Sequence, residues 1–126
     1  MDNLRIEKTL KTPAISFDAK SGKLAIIGRA IAENPEEFFS DVLQWIRDYF
    51  QNPQPFTQID IQLEYINSAS SKYLLELLNL LQEQYQKEVK FDVNWYYEED
   101  DESLLELGKH YQSILDLPIK LIELYQ

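Results

Sequence analysis

Between Phe56 and Leu81 the chain reads FTQIDIQLEYINSASSKYLLELLNLL, and its apolar spacing changes from two residues to three and four within a few positions. Ile59, Ile61, Leu63 and Tyr65 alternate with Asp60, Gln62 and Glu64, which predicts a strand with its apolar side chains on one face. From Tyr73 to Tyr85 the leucines recur at helical spacing. A strand that runs straight into a helix cannot return by a tight hairpin, so the next strand has to arrive by a crossover. That strand is KEVKFDVNWYY, with Val89, Phe91, Val93 and Trp95 on one face.

The flanks extend the pattern. Ala14 to Phe17 and Leu24 to Ile27 surround DAKSGK, which predicts a hairpin turning at Ser21-Gly22. ENPEEFFSDVLQWIRDYF is expected to be helical, with Asn34 as cap, Pro35 at the first position and Glu36 and Glu37 beside the positive end of the dipole. Phe38, Val42, Trp45, Ile46 and Tyr49 form its expected apolar stripe, and Pro53 and Pro55 end it. Leu104 to Tyr111 reads as a short helix, and the tail LPIKLIELYQ fits a strand or a helix equally well. The order β-β-α-β-α-β-α implies an α/β fold: a mixed sheet with helices packed mainly on one face, in a single domain over residues 1–126.

Charge and composition exclude several functions. With 22 acidic residues against 12 basic ones the net charge is -10, which repels phosphate backbones and anionic headgroups, so neither nucleic acid nor membrane is an expected partner. Cysteine is absent, so there is no thiolate metal site and no thiol nucleophile. Neither a signal-peptide core nor a run of about 18 apolar residues occurs, and a soluble cytoplasmic protein is expected. Three glycines, at 22, 28 and 108, build neither a phosphate-cradling loop nor a dinucleotide fingerprint, and no cofactor is expected.

Catalytic groupings are equally thin. The single histidine, His110, falls late in a helix, where a cation suits the negative end. A serine nucleophile near Ser68 would have only Lys72 as base, and an exposed lysine in an acidic protein keeps its proton. The run Glu98 to Glu102 suggests, as an alternative function, a small enzyme using a divalent metal; it lacks the ligand spacing and turn glycine of a calcium-binding loop. Capping of the next helix by Asp101 or Ser103 explains the same run without a metal, and no metal ligand is assigned. Tyr96 and Tyr97 beside those acids, next to Trp95, would suit a basic amphipathic partner segment.

The serines between strand and helix carry the remaining signal. Asn67 or Ser68 suffices to cap the helix, yet Ser70 and Ser71 follow at once. Hydroxyls without a base, at a helix end suited to an anion, mark a place where phosphate can be added: about -1.5 to -2 charges beside free backbone N–H groups.

Four segments, TPAI (12–15), GKLAIIGRAIAEN (22–34), YINSASSK (65–72) and WYYEEDDESLLELG (95–108), occur in order over most of the chain. In this combination the sequence resembles the SiaC family of regulatory phosphoproteins, whose fold is STAS-like, similar to the SpoIIAA-type antagonists of anti-sigma factors. The resemblance implies that Ser68, directly after the Asn that ends the strand, is phosphorylated by a dedicated protein kinase and cleared by a PP2C-type phosphatase. It also implies that the unmodified form binds and activates a diguanylate cyclase in bacterial cyclic di-GMP signalling. Asn67, Ser70, Ser71 and Lys72 would surround the phosphate, and Tyr65, Glu33, Asn34, Tyr96 and Tyr97 are candidates for partner contact. The sequence departs from the family pattern at Ala30 and Ala32, where a Ser and a Pro precede the Glu-Asn pair. The expected function is thus a non-catalytic signalling adaptor, with the metal-dependent enzyme and a constitutive interaction scaffold as alternatives.

Overall fold

The computed structural model describes residues 1–125. Six strands form one sheet in chain order: β1 (Leu4–Ile6), β2 (Ala14–Asp18), β3 (Lys23–Ala30), β4 (Thr57–Ile66), β5 (Phe91–Glu98) and β6 (Ile119–Leu124). β1, β2 and β3 pair antiparallel, and β3 to β6 pair parallel. Helices α1 (Pro35–Tyr49), α2 (Ser68–Gln86) and α3 (Glu102–Ile114) fill the three crossovers. Because the strand order never reverses, each crossover passes over the same face.

That face is the core. Ile15, Ile26, Ile61, Trp95 and Leu121 lie opposite one another across five strands, and the first four are buried. α1 packs Trp45 against Phe17 at 5.1 Å between ring centroids, α2 sets Tyr85 against Phe91, and α3 lies on Trp95 and Leu121. The other face is uncovered and reads Ser16, Ala25, Asp60, Asn94 and Lys120 in one row. The mixed sheet with its helices on one face is as the element order requires.

Some details differ from the sequence pattern. The stripe of α1 buries Phe39 and Leu43 with Val42, Trp45, Ile46 and Tyr49, and leaves Phe38 only half-buried, because the helix packs against α2 beside it as well as on the sheet, with Phe39 stacked on Tyr73. α2 starts at Ser68, well ahead of its first leucines, since a cap decides where a helix begins. The tail is a strand: Ile119 to Leu124 extends the sheet beside β5. β1, which the pattern did not reveal, adds three residues at the other edge.

α2 ends on a non-glycine residue in the left-handed region. Glu88 has φ 66°, and the N–H of Val89 donates to the carbonyl of Gln84 at 3.2 Å while that of Glu88 donates to Tyr85, a closing arrangement that glycine makes with least strain. Glu88→Gly is therefore expected to stabilise the fold by roughly 0.5–1 kcal/mol, the relief of Cβ strain exceeding the added chain entropy. Urea unfolding midpoints of the two proteins check this; an unchanged or lower midpoint would refute it.

Candidate functional site

Parallel strands place the βα turns at one edge of the sheet. The β3–α1 turn, the β4–α2 turn and the β5–α3 turn all lie at the carboxyl ends of their strands, and the β1–β2 loop joins them because β1 runs parallel to β3. Backbone bonds tie the turns together: Asn67 N–H donates to the Ala30 carbonyl at 3.0 Å, and Ile31 N–H to that of Lys11 at 2.9 Å. α/β proteins commonly bind at this edge.

Asn67 rather than Ser68 caps α2. Its Oδ1 accepts from the N–H of Ser70 at 2.8 Å and its carbonyl accepts from that of Ser71 at 2.9 Å. Ser68 is then the first helical residue, and it is exposed. The N–H groups of Ser68 and Ala69 are the donors that an anion on residue 68 would meet. α1 and α3 carry acids in their first turns, Glu36 and Glu37 in one and Glu102 in the other; α2 carries none. In a chain with 22 acidic residues, α2 begins without an acid of its own to complement its positive end.

The other two hydroxyls are occupied or sealed. Ser71 donates its hydroxyl to the Ser68 carbonyl at 2.8 Å. Ser70 is fully buried, and its Oγ has no hydrogen-bond partner among the described residues. Of the three serines, only Ser68 is exposed. Lys72 is also exposed, one turn on, with its ammonium 5.9 Å from the Tyr73 ring. Asn67→Ala is expected to cost about 1 kcal/mol and to fray the turn that presents Ser68. Chemical unfolding gives the first, and faster amide exchange at residues 68–71 the second; unchanged exchange would sink the capping assignment.

Tyr65 does not follow the alternation. Gly28 pairs with Leu63 and Arg29 with Tyr65, so Glu64 is an extra residue on β4, and Gly28 accommodates the irregularity with φ 132°. Beyond this bulge the faces exchange: Ile66 turns inward, and Tyr65 swings out to 58% exposure. The guanidinium of Arg29 lies 5.2 Å from the Tyr65 ring centre and its Nε bonds Glu64 at 3.2 Å, while Lys8 approaches Glu64 from the other side at 3.6 Å. These cations hold the Glu64 carboxyl below its usual range, the Arg29 hydrogen bond being the main cause.

The remaining candidates divide. Asn34 is spent on capping α1, accepting from Glu37 N–H and donating to the Glu37 carboxylate at 3.2 Å; Glu33 beside it is exposed and paired with Lys11. Tyr97 packs against the core. Tyr96 points to the uncovered face, away from the helices, where burial and then the nearby Asp60 raise its hydroxyl pKa. Trp95 is wholly buried and donates to the Leu104 carbonyl at 2.9 Å. Ala30 and Ala32 are buried, so these two departures from the family pattern alter packing under the β3–α1 turn rather than an exposed surface.

The acidic run does not gather into a metal site. Among the described residues no three carboxylate, histidine or cysteine side chains are placed to hold an ion. Asp101 spends its carboxylate on capping α3, accepting from Leu104 N–H at 3.0 Å. Arg29, Lys8 and Glu64 are absent from the sequence candidates: register brings Arg29 of β3 beside Glu64 of β4, where Gly28 was the only signal, a marker of irregular strands, and Lys8 reaches Glu64 from the β1–β2 loop. Among the described residues no helix is long and apolar enough to cross a membrane.

Comparisons with known proteins agree over nearly the whole chain. The family model described as SiaC family regulatory phosphoprotein matches residues 6–124. An uncharacterised protein of Pseudomonas aeruginosa strain UCBPP-PA14 is 30% identical over 118 residues, 94% of each chain. Among solved structures, SiaC of Pseudomonas aeruginosa superposes with a TM-score of 0.90 at 28% identity, covering 98% of this chain and 100% of that one. SiaC crystallised with the diguanylate cyclase SiaD, which it activates, gives 0.90 at 29% identity, covering 96% and 99%.

Proposed function

Since this chain belongs to the SiaC family of regulatory phosphoproteins, it is a regulatory protein and not an enzyme, and we propose that it activates a diguanylate cyclase in a manner switched at Ser68. In the unmodified state the carboxyl edge of the sheet docks on the cyclase. A protein kinase transfers phosphate to the Ser68 hydroxyl, and a PP2C-type phosphatase removes it.

The observation that carries this reading is the first turn of α2: Asn67 takes over the capping, leaving Ser68 exposed in a first turn that contains no acidic residue. A phosphate there meets the N–H groups of the first turn, so the fold accepts it. Lys72, one turn along, adds well under about 1 kcal/mol across an exposed gap, too little to make the switch. The switch lies in the complex, because enclosing a hydrated dianion under a docked protein costs several kcal/mol.

The test is made in the native host. Intact-mass measurement and fragment mapping of the purified chain should place a single phosphate on Ser68, and the unmodified fraction should co-purify with a diguanylate cyclase. Phosphate mapped elsewhere, or no phosphorylated species under any growth condition, would count for a constitutive scaffold and against the switch.

A further inference from the structure

The strand that leads to Ser68 ends along a groove, which it lines with Glu64, Tyr65 and Ile66. Two contiguous clefts of about 500 and 420 Å³ run between the end of β4 and the start of α3 and share Glu64, Tyr65, Asp101 and Ser103. Ile66, Leu104 and Leu107 make one part apolar, and Glu98, Asp100 and Glu102 line the other, with Arg29 also at its wall. We propose that this groove receives a basic amphipathic segment of the partner protein. An apolar side chain of that segment packs on Tyr65, Ile66 and Leu107, and a Lys or Arg faces Asp100 and Glu102. The inference rests on the regulatory reading above and names the chemistry by which the partner is recognised.

Charge decides the occupant. Glu64 is balanced by Arg29 and Lys8, and Asp101 is engaged as a cap. Asp100 and Glu102 are exposed and have no partner among the described residues, so the groove presents two uncompensated carboxylates beside an apolar floor. A second copy of this chain would bring a further -10 charge to that surface. A cationic segment brings the complement. The aromatic anchor is already in place: Tyr65 is 58% exposed yet held by Arg29, so docking on it orders little that was free.

The groove also constrains how phosphate acts. A dianion on Ser68 does not repel a basic segment from a distance. It acts locally, as a hydrated group under the docked surface, so phosphorylation should raise the dissociation rate and leave association no slower.

A photocrosslinking residue, p-benzoylphenylalanine, placed at position 65 in the native host tests the groove, with the same residue at exposed Phe56 on the opposite edge as control. The expected product at 65, but not at 56, is a crosslink to a segment carrying Lys or Arg among apolar residues. Asp100→Lys combined with Glu102→Gln should lower its yield at least tenfold while the chain still melts cooperatively, at a slightly lower temperature because Glu102 is the acid in the first turn of α3. In lysate, raising salt from about 0.05 to 0.5 M should lower the parent yield several-fold even if that variant is unstable. No crosslink at 65, an acidic or uncharged segment, or a yield indifferent to both treatments overturns the groove. A basic segment from a protein other than a diguanylate cyclase supports the groove and overturns the cyclase assignment. A cyclase crosslinked only from position 56 does the reverse.

Discussion

Ser68→Asp is expected to fold at least as well as the parent chain and to lose its diguanylate cyclase partner. The two effects have different origins. At the first position of α2 a carboxylate lies beside a helix end that has no acid in its first turn, an arrangement that stabilises by about 0.3–1 kcal/mol. The same charge faces any docked protein, and burying it without a partner should weaken the complex about 100-fold, or about 2.8 kcal/mol. Ser68→Ala should bind like the parent and take no phosphate. Titration calorimetry against the cyclase, with thermal melts of all three chains, separates the outcomes. Equal affinity of the Asp and Ala variants would remove Ser68 from the switch, whereas a lower melting point for Ser68→Asp would assign its effect to misfolding.

Gly108→Ala is expected to be strongly destabilising. Gly108 lies within α3 where the helix meets the sheet, and a Cβ there would stand 2.7 Å from Leu121 Cδ2 and 2.8 and 2.9 Å from Trp95 Cδ1 and Nε1. Trp95 cannot give way easily: it is 1% exposed, bonded to the Leu104 carbonyl, and edge-on to Tyr111 at 5.6 Å. Overpacking plus loss of that hydrogen bond should cost about 2–4 kcal/mol, a large part of the stability of a small domain. Because α3 and β4 form the two walls of the groove, partner capture should fall with it. Denaturant unfolding with tryptophan fluorescence reports the first effect. A loss under about 1 kcal/mol would mean that α3 shifts away from the sheet without strain, contrary to the packing seen.

Where a signal was local, the sequence showed it plainly. Asn34, Pro35, Glu36 and Glu37 announce the start of α1, and Asp101 that of α3, because capping involves only neighbours along the chain. Strand alternation, the hairpin and the one-sided helical cover followed from periodicity and chain order. Residue 68 stood out because three hydroxyls crowd one helix start, but which of them is accessible could not be read there. Ser70 and Ser71 have the same chemistry as Ser68; burial against the core seals one, and a bond to the Ser68 carbonyl engages another.

β1 and the tail strand were illegible for the opposite reason. Three residues at Leu4–Ile6 and an apolar run at Ile119–Leu124 have little preference of their own and become strands because an edge of the sheet awaits them.

By itself the sequence determined the order of elements and the helix start that bears Ser68, which depend on contacts a few residues apart, and the face on which the helices lie, which follows from that order through right-handed crossovers. Only the tertiary structure decided that Tyr65 turns outward beneath Arg29, that Glu64 is an inserted residue, and that Glu98, Asp100, Asp101 and Glu102 wall a groove instead of gathering round an ion. Those outcomes depend on the register between β3 and β4 and on the seating of α3 on Trp95. Register is a relation between strands far apart in the chain, and no spacing within either strand encodes it.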